Sequence, residues 1–166
     1  RTRPWHGRGR GPTPRRSTPF DLIMNCPYCT SPEIQERKIV ENELAFAFLS
    51  NMPIVPGHTL VVPKRHVAKY ENLTEEEMRA IEDLRVNILH ALTKTFSAAG
   101  FNFAWNDEKI AGQSVPHFHL HIVPRKEGDA GIYEYEPRKF LYRPGERKET
   151  PEDELGEISK LITKNL

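Results

Sequence analysis

Residues 117–123, His-Phe-His-Leu-His-Ile-Val, alternate histidine with large apolar side chains. Successive side chains of a β-strand point to opposite faces of the sheet, so the pattern predicts a strand with one face of imidazoles. The other face, formed by Phe118, Leu120 and Ile122, is expected to lie in the core. Packing alone hardly explains three histidines in one row, because each ring has two nitrogens to satisfy and mutual protonation is unfavourable. The row therefore indicates chemistry.

Two kinds of site use such a row, and the residues alone leave both open. All three imidazoles could bind one catalytic metal ion, as in zinc or iron sites. Alternatively, one imidazole could be a nucleophile whose tautomer is fixed by a neighbour. The preceding loop, Gly112-Gln113-Ser114, offers a flexible backbone, an amide and a hydroxyl, and such donors suit phosphate oxygens. The loop favours a substrate that contains phosphate.

The rest of the chain predicts hairpins packed around one long helix. Strands are expected in five segments, namely 39–40, 44–49, 58–62, 101–106 and 117–123. Thr74 and Glu77 fit a capping box that opens a helix reaching to about Gly100. A last helix is expected from about Thr150, with Leu161 on its apolar side. We therefore predict an α+β fold with a mainly antiparallel five-stranded sheet, one long helix and a C-terminal helix.

Basic charge is concentrated at the start of the chain. Residues 1–20 hold six arginines and no acid, whereas all 166 residues carry a formal net charge of only +1. Residues 1–23 are rich in proline and glycine and are predicted to be a disordered basic tail or a remnant of expression or read-through. Residues 24–166 are predicted to form a single domain. The alternative for the tail is an arm that binds nucleic acid, but no nucleic-acid partner is expected.

No segment of the sequence has the apolar length that a bilayer requires, which is roughly 20 residues. The tail also lacks the apolar region of a signal peptide. A cytoplasmic protein without a membrane partner is therefore expected.

The chain has two cysteines, Cys26 and Cys29, in the run Cys-Pro-Tyr-Cys. Two cysteines are too few for a disulfide framework. A redox pair of the thioredoxin type would follow a strand and open a helix, whereas this pair follows the tail and precedes a turn-like run. The other interpretation is half of a zinc site, which needs two further ligands. The pair alone does not decide between them.

Two segments together resemble the histidine triad (HIT) family. Residues 112–124, Gly-Gln-Ser-Val-Pro-His-Phe-His-Leu-His-Ile-Val-Pro, are similar to the family signature. Residues 56–64, Pro-Gly-His-Thr-Leu-Val-Val-Pro-Lys, are similar to its second hallmark. The resemblance covers about residues 24–125. It implies a HIT-like fold that pairs as a homodimer, and hydrolases or transferases that act at the α-phosphate of a nucleotide substrate.

The resemblance also implies roles for single residues. The catalytic group comprises His117, His119 and His121, with the buried His58 orienting them. His119 attacks the α-phosphorus and forms a nucleotidyl-histidine that water hydrolyses, and His121 binds the phosphate. The resemblance implies that the remaining candidates bind substrate. Asn106, Gln113 and Ser114 would bind the phosphates, and Ser50 or the adjacent Asn51 would bind the ribose.

The resemblance offers a second pair of ligands for the cysteines. Some microbial HIT proteins bind structural zinc through paired cysteines, the histidine of a Pro-Lys-x-His run and the first triad histidine. Those positions correspond to Cys26, Cys29, His66 and His117. A Cys₂His₂ set is closed and tetrahedral, so this zinc would support the fold rather than bind substrate.

Residues 51–58 and 124–129 resemble the fragile-histidine-triad branch, which cleaves dinucleoside polyphosphates and generally lacks paired cysteines. Dinucleoside polyphosphates are therefore the first expected substrates, and nucleoside phosphoramidates the second. The alternatives are a phosphorylase or nucleotidyltransferase of the same family, a three-histidine metalloenzyme, and a non-catalytic nucleotide-binding protein. Arg125 and Lys126 are expected either to meet the distal phosphates or to form a solvated turn. Residues 132–143 are expected to pack on the dimer partner.

Overall fold

The computed structural model describes residues 18–129 and 149–166, and in them the predicted five-stranded sheet is present. Its strands are β1 (Lys38–Glu41), β2 (Ala45–Leu49), β3 (Thr59–Pro63), β4 (Gly100–Ala104) and β5 (Leu120–Arg125). The strand order is β1-β2-β3-β5-β4, and every neighbouring pair is antiparallel. The predicted α+β fold is confirmed.

Five α-helices accompany the sheet within residues 18–129 and 149–166. They are α1 (Pro19–Met24), α2 (Pro27–Thr30), α3 (Pro32–Glu36), α4 (Glu75–Phe96) and α5 (Glu152–Thr163). Each of the three short helices begins at a proline. Proline suits this position because an N–H there would have no partner within the helix. Helix α1 overlaps the end of the segment 1–23, which the sequence predicts to be a disordered basic tail. Residues 1–17 of that segment lie outside the described residues, as does the segment 132–143.

Helix α4 starts as predicted and ends earlier than predicted. The Thr74 hydroxyl accepts the Glu77 N–H at 3.2 Å, and the Glu77 carboxylate accepts the Thr74 N–H at 2.9 Å, which completes the capping box. The helix ends at Phe96 because Ser97 adopts a left-handed backbone with φ 54°. The chain then turns directly into β4.

Both faces of the sheet are covered. Helices α4 and α5 pack on one face, where Ile88, Leu92 and Ile162 are fully buried. The other face carries a smaller apolar cluster, which we call the Phe48 cluster and which consists of Ile34, Phe46, Phe48, Leu60 and Val62 with Tyr28 against it. Strands β2 and β3 are buried along their whole length for this reason. Their sequences therefore do not alternate between apolar and polar residues.

Two details of the sequence prediction are wrong. The regular strand β5 begins at Leu120 rather than His117, since the Phe118 N–H donates to the carbonyl of Val67 instead of to a neighbouring strand. Phe118, Leu120 and Ile122 nevertheless lie in the core beneath α4, as expected. Leu161 is 52% exposed, because α5 turns Leu155 and Ile162 inward instead.

Gly57 in the second hallmark occupies a position that requires glycine. Its φ of +87° lies in the left-handed region, and a Cβ there would meet the Phe96 ring at 2.8 Å. The close approach of this turn to the end of α4 fixes the entry into β3, which follows His58.

Among the described residues, no helix combines the length and the apolar character that crossing a membrane requires.

Candidate functional site

The triad histidines lie on the sheet face that carries the Phe48 cluster. His121 pairs with Leu60 across β5 and β3, and paired residues point to the same face. The Tyr28 ring makes edge contacts with His117 and His119, with ring centroids 5.7 and 5.4 Å away. The rings of His119 and His121 are 4.9 Å apart. The three imidazoles therefore form one row.

Backbone carbonyls set the tautomers of the first two histidines. Nε2 of His117 lies 2.9 Å from the Pro63 carbonyl oxygen, and Nδ1 of His119 lies 2.7 Å from the His117 carbonyl oxygen. A carbonyl only accepts, so both nitrogens carry the proton. The lone pairs that remain are those of Nδ1 on His117 and Nε2 on His119.

Burial keeps these two rings neutral. It lowers the pKa of His117 to about 4, and it also lowers the pKa of His119. His119 is 3% exposed. A neutral, desolvated imidazole with its lone pair on Nε2 is a competent nucleophile at pH 7.

The tautomer of His121 is set through His58. The Ile54 N–H donates to Nδ1 of His58 at 3.1 Å, so the proton of neutral His58 is on Nε2. That nitrogen lies 2.9 Å from Nδ1 of His121 and donates to it. His121 therefore carries its own proton on Nε2 and is a hydrogen-bond donor. His58 is 1% exposed, which shields this relay from water.

Four possible metal ligands converge beside the triad. The ligand atoms of Cys26, Cys29, His66 and His117 all lie within 4.8 Å of one another. Nδ1 of His117 is 3.3 Å from the Cys26 sulfur and 3.5 Å from the Cys29 sulfur, and Nδ1 of His66 is 3.6 Å from the Cys29 sulfur. A tetrahedral zinc site needs sulfur–nitrogen separations of about 3.6 Å. The donor set and its spacing fit a four-coordinate metal.

The surroundings of the cysteines do not match a thioredoxin-type pair. Both are free thiols, and α1 rather than a strand precedes them. Burial and the neighbouring Cys26 raise the pKa of Cys29 to about 12, whereas a reactive redox cysteine has a lowered pKa. These facts favour the metal interpretation.

The loop before the triad is shaped by its own side chains. Gly112 has φ +95°, and its carbonyl accepts the Asn106 side-chain amide at 3.5 Å. The Gln113 amide nitrogen donates to the Ala68 carbonyl at 2.6 Å, so this buried side chain holds the loop. Ser114 is exposed.

Ser50 and Asn51, which are predicted to bind the ribose, make hydrogen bonds to backbone groups. The Ser50 N–H donates to the His58 carbonyl at 2.9 Å, and the Ser50 hydroxyl accepts the Met52 N–H at 3.3 Å. The Asn51 carbonyl accepts the Thr150 N–H at 2.9 Å. These bonds connect Ser50 to His58 rather than to His119.

The structure also places Arg125 away from the triad. Arg125 pairs with Gly100 at one end of β4, whereas His121 pairs with Ala104 at the other end. Its Nε lies 3.2 Å from an Asp129 carboxylate oxygen. Its guanidinium is thus engaged within its own turn.

Sequence reasoning missed two residues of the site. Tyr28, between the cysteines, lies against both His117 and His119, and burial raises the pKa of its hydroxyl. Arg65, next to His66, donates to both carboxylate oxygens of Glu77, at 2.8 and 2.7 Å. Glu77 was visible in the sequence as a helix cap, but its partner lies 12 residues away along the chain.

Comparison with known proteins gives named relatives. An uncharacterised HIT-like protein of Mycoplasma genitalium is 41% identical over 114 residues, which cover 68% of this chain and 81% of the relative. A bis(5'-adenosyl)-triphosphatase of Dictyostelium discoideum is 35% identical, with 74% and 83% covered. An adenosine 5'-monophosphoramidase of Saccharomyces cerevisiae is 30% identical, with 93% and 90% covered.

A solved structure and a family model agree with these relatives. A structure described as a zinc-bound histidine triad family protein from Mycobacterium smegmatis matches with a TM-score of 0.64 and 30% identity. It covers 86% of this chain, which in turn covers 96% of that one. The model of the HIT domain matches residues 31–128. The sheet, the row of three imidazoles and these matches establish that the chain belongs to the HIT family.

Proposed function

We propose that this protein is a nucleotide hydrolase that acts at the α-phosphate through a covalent nucleotidyl-histidine on His119. The observation that carries the proposal is the hydrogen bond from Nδ1 of His119 to the His117 carbonyl, which leaves the Nε2 lone pair as the nucleophile. The names of the relatives in Dictyostelium and Saccharomyces support hydrolysis at a nucleotide phosphate.

In the first step, Nε2 of His119 attacks the α-phosphorus, and the bond from phosphorus to the leaving group breaks. Electrostatic stabilisation and positioning supply most of the catalysis in such a transfer. Ser114 and the loop amides would hold the phosphate, and Asn106 and Gln113 would contribute by holding the loop in shape. In the second step, water attacks the same phosphorus, breaks the P–N bond and restores neutral His119, and the nucleotide leaves with the oxygen of that water.

The relay behind His121 favours a leaving group that needs no proton. Each of His58 and His121 carries a single proton in the relay, so a full transfer from Nε2 of His121 would leave an imidazolate. We therefore assign His121 as a hydrogen-bond donor to a phosphoryl oxygen. A nucleoside polyphosphate leaves as a stable anion, whereas the amine of a phosphoramidate must gain a proton. Dinucleoside polyphosphates are accordingly the first substrate class, and phosphoramidates the second.

We assign a structural zinc ion to Cys26, Cys29, His66 and His117. The spacing of the four donors and the zinc-bound relative support this assignment. The ion would join the segment before α2, the turn after β3 and the start of the triad. The three-histidine metalloenzyme is disfavoured, because the remaining nitrogen of His117, Nδ1, faces the sulfurs of Cys26 and Cys29, and Nδ1 of His121 is bonded to His58.

One experiment tests the reaction. The protein is incubated with labelled diadenosine triphosphate, diadenosine tetraphosphate and adenosine monophosphoramidate, alongside His119→Ala and, as a matched control, His90→Ala on the exposed side of α4. We expect turnover and an alkali-stable labelled protein, both lost in His119→Ala and kept in His90→Ala. Full turnover by His119→Ala would overturn the proposal.

The same assay separates the alternatives. Release of a nucleoside diphosphate that depends on added phosphate identifies a phosphorylase. Reversible loss of turnover with a chelator, in a protein that stays folded, identifies a catalytic metal. Nucleotide binding without any turnover identifies a non-catalytic protein. In that last case, removal of residues 1–23 shows whether the basic tail contributes to binding.

We also propose a homodimer and a cytoplasmic location. Strand β4 lies at the edge of the sheet, and beside it Tyr70, Phe103 and Trp105 are 42–43% exposed around a cavity of about 310 Å³. An open edge next to an aromatic surface suits a second copy of the chain. Free thiols at Cys26 and Cys29 suit a reducing compartment. Sedimentation analysis of Phe103→Glu tests the homodimer, and cell fractionation tests the cytoplasmic location.

A further inference from the structure

Four consecutive residues, 67–70, each contact the loop that leads into the triad. The Val67 carbonyl accepts the Phe118 N–H, and the Ala68 carbonyl accepts the Gln113 side-chain amide at 2.6 Å. The Lys69 ammonium lies 2.6 Å from a Glu108 carboxylate oxygen. We call residues 67–70 the brace.

The last residue of the brace contacts both ends of the loop. The Tyr70 N–H donates to the Asp107 carboxylate at 3.4 Å, and the Tyr70 ring stacks on Trp105 with centroids 5.0 Å apart. The same ring lies 5.8 Å from that of Phe118, centroid to centroid. The brace thus spans the loop from residue 105 to residue 118.

Glu108, which the brace contacts through Lys69, has an unusual backbone. Its φ of 71° and ψ of 153° fall in a region that residues with a side chain almost never occupy. In this conformation the Glu108 carbonyl accepts the N–H groups of both Ala111 and Gln113, each at 3.1 Å. These two bonds close the turn that carries Gly112, the glycine of the phosphate-binding loop.

An exposed ion pair alone would not explain why a strained residue stays in place. The side chains of Lys69 and Glu108 are 35% and 61% exposed, and such pairs usually contribute little to stability. A strained backbone persists only where its surroundings hold it. The Lys69 ammonium donates this hydrogen bond to the Glu108 carboxylate, and the bond raises the pKa of Lys69.

We propose that Lys69 and Glu108 are positioning residues, whose ion pair acts with the other contacts of the brace to hold the Glu108 backbone in the conformation that shapes the phosphate-binding loop. The loop geometry follows from the contacts above. Only its consequence for substrate binding rests on the function proposed for the triad.

The test uses amide hydrogen exchange measured by NMR on the full chain. We expect Glu108→Gln and Lys69→Met each to raise the exchange rates of the Ala111 and Gln113 amides by about tenfold. Glu108→Gly should keep the wild-type rates, because glycine adopts this backbone without strain. Glu75→Gln is the matched control, since it removes an exposed ion pair with Arg79 on α4, away from the loop.

Each outcome supports or overturns the proposal. Exchange in Glu108→Gln that stays within twofold of wild type overturns it, and so does exchange in Glu108→Gly that rises as far as in Glu108→Gln. If the wild-type protein turns over a dinucleoside polyphosphate, Glu108→Gln should raise KM several-fold with kcat nearly unchanged, and Glu108→Gly should restore KM. If the wild type has no turnover, the exchange rates still decide the role of the pair.

Discussion

Nε2 of His58 lies 2.9 Å from Nδ1 of His121, and the backbone N–H of Ile54 fixes the direction of this hydrogen bond from the other side of the His58 ring. A main-chain amide cannot lose its proton, so it holds both imidazoles in single tautomers. The tautomer of His121 is thus set from the loop between β2 and β3.

His58→Phe should therefore impair catalysis while leaving the fold intact. Without the Nε2 donor, the tautomer of His121 is no longer set, and loss of a tautomer-fixing partner typically costs a factor of about 10² or more in kcat. Steady-state kinetics measures the loss, and ¹⁵N NMR reports the His121 tautomer. His90→Gln, on the exposed part of α4, is the control. A His58→Phe enzyme within twofold of wild-type kcat would contradict this role.

Glu77→Gln should destabilise the protein in a pH-dependent manner. The bond from Arg65 holds the pKa of the Glu77 carboxyl below its ordinary value, and the same carboxylate accepts the Thr74 N–H. Since the pKa is lower in the folded state, this stabilisation is fully present above the unfolded pKa of about 4.3 and is lost as pH falls through the folded value. We expect the free energy of unfolding at pH 7 to drop by about 1–3 kcal/mol.

Urea denaturation at pH 7 and at pH 3 measures that difference. The gap between wild type and Glu77→Gln should shrink at the lower pH. The control is again Glu75→Gln, at the first position of α4, because the Glu75 carboxylate takes no part in the capping box. A gap of equal size at both pH values would show that the ionised carboxylate is not the stabilising group.

Removal of a metal ligand should lower both zinc content and stability. We expect the wild type to carry one zinc ion per chain, and Cys29→Ser to bind it more than about 100-fold more weakly. Elemental analysis measures the zinc content, and thermal unfolding should show a Tm several degrees lower. Ser31→Ala, two residues away, serves as the control. Equal zinc content in Cys29→Ser and wild type would contradict the assignment.

Tyr28 should matter through its ring rather than its hydroxyl. The ring touches His117, His119 and Phe48, with centroids between 5.3 and 5.7 Å away. Replacing a fully buried aromatic ring with alanine typically costs about 3–5 kcal/mol. The Tyr28 ring is only partly buried, so Tyr28→Ala should cost less than this and Tyr28→Phe should be nearly neutral. Chemical denaturation distinguishes the two. Similar losses in both variants would assign the effect to the hydroxyl.

The parts of the fold that depend on local patterns were predictable from the sequence. The alternation in residues 117–123 identifies the core face of Phe118, Leu120 and Ile122, and the spacing of Thr74 and Glu77 identifies the start of α4. In each case neighbours along the chain decide the structure.

The parts that depend on distant partners were not predictable. The start of β5 shifts to Leu120 because Phe118 bonds to Val67, 51 positions earlier by residue number. The backbone of Glu108 depends on Lys69, and nothing in the local sequence marks a glutamate for a conformation typical of glycine. Arg65 is an ordinary surface cation in the sequence, and its role follows only from the fold of α4 against β3.

The four proposed zinc ligands lie far apart along the chain, and this has a consequence for folding. Cys26 and His117 are separated by 91 positions, and His117 lies three positions before β5, which pairs with both β3 and β4. During synthesis, the cysteines leave the ribosome first, and the ligand set is completed only when β5 has docked beside β3. The same chain segment presents His119 and His121. Final metal capture would therefore coincide with assembly of the nucleophile.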